Sequence, residues 1–132
     1  MTNRAAGPFD VKITPLTIDN VADPGIVRMS LDKQYHGDLE GTSQGEMLSF
    51  PSPVQGSAGY VAMERVTGNL GGRRGTFALQ HAATMDRGTP HLSITVVPDS
   101  GTQELTGLKG SMNIRIEADG KHFYEFEYDL PS

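Results

Sequence analysis

The stretch from Gly59 to His81, GYVAMERVTGNLGGRRGTFALQH, constrains the fold more than any other part of the chain. Its two arms alternate apolar and polar residues with a period of two, and GNLGGRRG between them is a glycine-rich turn. A two-residue turn at Gly71-Gly72 sets Leu70 opposite Arg73, Val66 opposite Phe77, Glu64 opposite Leu79 and Ala62 opposite His81. One face then carries Tyr60, Ala62, Glu64, Val66, Phe77, Leu79 and His81. The other carries Val61, Met63, Arg65, Thr67, Thr76, Ala78 and Gln80. A slip of one residue would exchange the faces, so a buried side specifies the register. The first face is mostly apolar, yet it holds one carboxylate and one imidazole as diagonal neighbours.

The rest of the chain repeats the pattern. Period-two segments predict eight strands: Phe9–Thr14, Ile26–His36, Leu39–Phe50, Gly59–Asn69, Gly75–Met85, His91–Pro98, Gln103–Ala118 and Lys121–Leu130. No segment keeps apolar residues at i, i+3, i+4 and i+7 through three turns. Sixteen glycines and eight prolines in 132 residues supply the turns. Eight strands with short connections predict an all-β fold, a barrel or a sandwich. A closed antiparallel eight-stranded barrel of the up-and-down, lipocalin-like kind also removes exposed edges. Residues 1–8 read as a flexible N-terminal arm and 9–132 as one barrel domain. The glycines of LTGLKGSMNIRIEA predict a bend or bulge in the seventh strand. In EADGKHFYEFEY, a two-residue Asp119-Gly120 loop would set Ile114 opposite Glu125. A three-residue loop, Ala118 to Gly120 with Gly120 left-handed, pairs Ile116 with His122, Ile114 with Tyr124 and Met112 with Phe126. The second register gathers the apolar residues on one face and is preferred.

Several function classes are excluded or disfavoured. A net charge of −5 without a basic stripe speaks against nucleic acid and against an anionic membrane surface. There is no cysteine, which removes thiolate nucleophiles and cysteine metal sites. The N-terminus MTNRAAGPFD has no apolar signal core, and no apolar run is long enough for a transmembrane helix, so a cytoplasmic protein is expected. GNLGGRRG fits neither the phosphate-loop nor the dinucleotide fingerprint, which leaves Arg73 and Arg74 as a solvated turn. GTSQG matches G-x-S-x-G, but strand-like sequence follows Ser43, so a nucleophile elbow is not expected. His36, Asp38 and Glu40 alternate along one strand face; with no second cluster to complete a shell, they read as polar strand-end residues and no metal site is expected. No cofactor motif is present.

Glu64 is the most informative residue. A carboxylate among Tyr60, Ala62 and Val66 is costly unless paired or protonated, and burial would raise its pKa toward the range of a catalytic acid or base. His81 is placed to share its proton or to form a purely structural pair with it. Tyr35, Tyr60, Tyr124 and Tyr128 each fall on the apolar face of a strand, as ligand-orienting phenols or as core filler. His122, at a hairpin end, is expected to be exposed.

YHGDLEGTSQGEM, GYVAMERVTGNLGGRRGTFALQH and PDSGTQELTGLKGSMNIRIEADGKHFYEFEYDL together resemble a bacterial family of small domains of unknown function. That family is grouped structurally with allene oxide cyclase-like barrels. The resemblance spans Phe9 to Leu130. It implies a closed barrel with a central cavity, often assembled into homo-oligomers, and implies no reaction. No functional residue of the cyclase has a matching motif here.

These readings converge on a small, mostly apolar molecule bound in the barrel interior. In the catalytic version, a cofactor-free cyclisation or isomerisation, Glu64 and His81 are the catalytic pair. Tyr35, Tyr60, Phe77, Leu79 and Tyr124 contact the ligand. The alternative is a non-catalytic carrier or sensor of a hydrophobic metabolite; a third class is an interaction module whose interior is filled. An outward face with Val61, Met63, Thr67 and Ala78 is suited to packing against a second subunit.

Overall fold

A computed structural model describes residues 2–17 and 25–131. Its strands are β1 (Asn3–Leu16), β2 (Val27–Tyr35), β3 (Leu39–Pro51), β4 (Ala58–Leu70), β5 (Arg73–Asp86), β6 (Thr89–Val96), β7 (Lys109–Ile116) and β8 (His122–Asp129). Each strand pairs antiparallel with the next, and β8 returns to β1, closing an up-and-down barrel. The β4–β5 register is the one the alternation dictates: Val66 faces Phe77, Glu64 faces Leu79 and Ala62 faces His81. In β7–β8, Met112 pairs with Phe126, Ile114 with Tyr124 and Ile116 with His122, as the apolar face requires. Gly120 supplies the left-handed turn residue, at φ 89°.

Two boundaries differ from expectation. Residues 3–8 are wall, not a flexible arm: Asn3 to Phe9 pair with Tyr128 to His122, and Ala5 is buried. The inward positions here are small (Ala5, Gly7), which hides the alternation. Gly7 has to be small, because a Cβ there would run into the His36 carbonyl. The seventh strand begins at Lys109, because Gln103–Leu105 forms a 3-10 turn and Gly107, at φ 83°, breaks the extended backbone. The segment so freed folds Leu105 and Leu108 into the core.

The two halves of the barrel are unlike. One is packed solid around Tyr35, Leu39, Val66, Leu70, Phe77, Phe126 and Leu105, all essentially without exposure. Phe77 stacks on Phe126 with centroids 5.9 Å apart, and Tyr35 meets Tyr124 edge-on at 5.4 Å. At the other end, pairing runs on to Leu16↔Arg28, Pro51↔Ala58 and Asp86↔Thr89. However, β1 meets β8 only as far as Phe9↔His122, and β6 meets β7 only at two residue pairs. Six strands therefore run past the β7–β8 hairpin. Residues that continue the inward alternation there are left open: Ile13 is 49% exposed, Met85 40%, Leu92 36% and Ile116 63%. This end is an apolar mouth.

Candidate functional site

Strand register builds the site in rows between the packed half and the mouth. Leu31, Gly45, Glu64, Leu79 and Val96 lie side by side across β2 to β6. The next row toward the mouth is Met29, Met47, Ala62, His81 and Ile94. The third is Val27, Ser49, Tyr60, Ala83 and Leu92. Glu64 thus stands beneath His81, and Tyr60 nearer the opening. Gly45, directly opposite Glu64, lets β3 close on β4; a Cβ there would collide with the Met63 carbonyl and the Glu64 backbone.

The Glu64 carboxylate is fully enclosed and saturated with donors. Lys33 Nζ donates to Oε1 at 3.0 Å and His81 Nε2 lies 2.7 Å from the same oxygen. The Tyr35 hydroxyl sits 3.1 Å and 3.0 Å from the two oxygens, and Ser43 Oγ donates to Oε2. Lys33 is itself buried, with Nζ 5.2 Å from the Phe9 ring centroid and 5.8 Å from that of Tyr35. Among the described residues no buried side-chain nitrogen or oxygen lacks a hydrogen bond.

This pairing reverses the expected titration of Glu64. Burial does push its pKa up, but the His81 hydrogen bond, the Lys33 charge and the Ser43 hydroxyl together outweigh burial and hold it at about 2. Glu64 is therefore an ionised acceptor, with none of the character of an acid or base tuned near neutrality. Because the carboxylate accepts, His81 presents Nε2–H to it. Burial and the Glu64 charge push the Tyr35 phenol well above its usual value, so it is a fixed donor. The same two causes raise Tyr60, whose phenol thus lies within the field of the carboxylate.

Of the residues singled out in the sequence, Glu64, His81 and Tyr35 converge, and Tyr60 faces the mouth half. Phe77 and Leu79 belong to the packed core. Tyr124 is a clasp: its hydroxyl donates to the His36 carbonyl at 2.7 Å and accepts the Leu39 N–H at 2.9 Å, locking the β2–β3 turn to β8. Burial pushes that phenol up to about 12, with the Leu39 N–H working against it and the Asp38 and Glu40 charges adding to it. Neither Lys33 nor Ser43 is placed at Glu64 by the sequence reading, although period two in LDKQY puts Leu31, Lys33 and Tyr35 on one face. Ser43 is continued by strand, so no nucleophile elbow forms. The His36, Asp38, Glu40 trio does not converge. His36 is 3.5 Å from Asp10 and 3.7 Å from Glu40, while Asp38 accepts the Ala6 N–H. Among the described residues no group of three or more histidines and carboxylates is placed to hold a metal. His122 is half-buried rather than exposed, its ring 5.2 Å from that of Phe9.

Residues 5–128 match the model of the DUF3224 family, described as proteins of unknown function, and the chain belongs to that family. The crystal structure of a DUF3224 protein of unknown function from Shewanella oneidensis MR-1 is 49% identical, with a TM-score of 0.92. The alignment covers 100% of this chain and 99% of that one. A search of curated proteins finds no match.

Proposed function

We propose, for a family whose function membership leaves open, that this barrel binds a small, mostly apolar molecule in its open half as a carrier or sensor. One observation carries the reading: inward-facing apolar residues are left solvent-exposed above a Glu64 carboxylate whose own hydrogen bonds are complete. A monomer gains nothing in stability by lining an opening with Ile13, Met85, Leu92 and Ile116, whereas a ligand covering them removes apolar area from water. An apolar groove of about 690 Å³ spans the strand ends here, lined by Tyr60, Ala83 and Leu92 of the inward row and by Leu48, Phe50 and Val61 of the outward one, and Glu64 and Lys33 do not line it. We assign the outward face with Val61 and Met63 to a second copy of the chain and the inner mouth to the ligand, in a cytoplasmic homo-oligomer.

The test is titration with a hydrophobic naphthylamine dye. Saturable binding that Ile116→Glu and Ile13→Glu weaken about tenfold or more, and Met63→Glu leaves unchanged, is the expected result. Absence of saturable binding, or sensitivity to Met63→Glu alone, would overturn the reading. A cofactor-free cyclisation or isomerisation is the second reading, favoured by an imidazole oriented by an ionised carboxylate. In that version His81, not Glu64, would exchange the proton.

A further inference from the structure

The two nitrogens of His81 have different fates. Nε2 is committed to Glu64 at 2.7 Å. Nδ1 has no hydrogen-bond partner among the described residues. Yet it is not sealed, since no buried side-chain nitrogen or oxygen among the described residues is unpaired. The small exposed part of this residue, 3%, therefore includes Nδ1. His81 stands one row nearer the mouth than Glu64. Ala62, beside it across the strand pair, and Ala83, the next inward residue of its own strand, carry only methyl groups. Lys33 supplies the counter-charge to Glu64, and His81 donates to the same carboxylate through Nε2. In the tautomer that donates through Nε2, the Nδ1 lone pair has its direction fixed by Glu64, one row below the Tyr60 and Ala83 row of the open half.

We infer that Nδ1 of His81 is the recognition point for the ligand's polar end, and that it selects a hydrogen-bond donor: the ligand is an apolar body ending in a hydroxyl or N–H group, not a carboxylate. Glu64 is the positioning residue that holds the tautomer. The inference rests on the proposed binding in the open half and adds the chemical class of what binds. A carboxylate brought to the same place would face the Nδ1 lone pair with lone pairs of its own, and would sit near the Glu64 charge.

The experiment compares octanol, methyl octyl ether and octanoate as competitors of the naphthylamine dye on the intact protein, with ¹⁵N spectra of its histidine rings. The His81 signals are identified by their loss in His81→Gln. Octanol is expected to compete roughly five- to tenfold better than the ether, the worth of one hydrogen bond, and octanoate least well. The free protein should show His81 protonated at Nε2, and octanol should shift Nδ1. Equal competition by alcohol and ether would overturn the donor assignment while leaving binding in the mouth intact. So would octanoate competing best, or a proton found on Nδ1. Failure of all three to compete would overturn both readings.

Discussion

The closed and open ends of this barrel use the same alternation for opposite purposes. At the closed end, inward residues are large and sealed: Tyr35, Phe77 and Phe126 are at most 1% exposed, and the turn carrying Leu105 plugs the gap before β7. At the open end, inward residues are equally apolar but stay in contact with water, because β7 and β8 stop short. The Glu64 network forms the boundary between them. A period-two pattern tells which face is inward, but not whether anything fills the inside. That depends on where each strand stops.

The comparison can be broken from either side. The largest effect is expected in the closed half, where Phe126→Ala should cost about 4 kcal/mol, because its stack with Phe77 and Tyr128 leaves a cavity that rigid strands cannot fill. Urea unfolding at neutral pH measures it, and a loss under about 1 kcal/mol would mean that this half is not tightly packed.

At the boundary, Glu64→Gln should cost about 3 kcal/mol by leaving Lys33 buried without its counter-charge. Lys33→Met in the same chain should restore part of that, a double-mutant cycle being the check. The pH dependence follows from the same pairing. Folding lowers the Glu64 pKa from 4.5 to about 2, so its contribution is full above the upper value. It fades as pH falls through the window and is gone below the lower one. The parent should lose on the order of 3 kcal/mol more than Glu64→Gln across that window. Parallel stability curves would show that the carboxylate gains nothing from its partners.

Tyr124→Phe should cost about 2 kcal/mol, since the Leu39 N–H is left buried and unpaired. Differential hydrogen exchange at Leu39 would report the loosened turn directly. The smallest effect belongs to the mouth: Ile116→Ala should change stability by no more than about 0.5 kcal/mol. A loss comparable to that of Phe126→Ala would show that the open end is packed after all.

Much of the architecture was legible in the residues. The β4–β5 and β7–β8 registers followed from alternation and turn glycines, and the meeting of Glu64 and His81 followed from the first of them. Three things did not. The strand at Asn3 was masked by small inward residues that carry no hydrophobic signal. The break at Gly107 was masked because a left-handed glycine reads like a bulge. Lys33 and Ser43 were masked because they reach Glu64 from β2 and β3, and contacts across three strands depend on registers that no short-range pattern supplies. Without Lys33 in view, burial alone made Glu64 look like an acid. With it, the carboxylate is an anchor.

The methionines offer the most direct test of an open apolar half. Met29, Met47 and Met85 continue the inward alternation toward the mouth, Met112 is sealed in the core and Met63 stands on the outer wall. Methyl-labelled methionine spectra recorded while octanol is added would distinguish these places at once. The account predicts that Met29, Met47 and Met85 shift together and saturably, while Met112 and Met63 hold still. Shifts confined to Met63, or none at all, would contradict it.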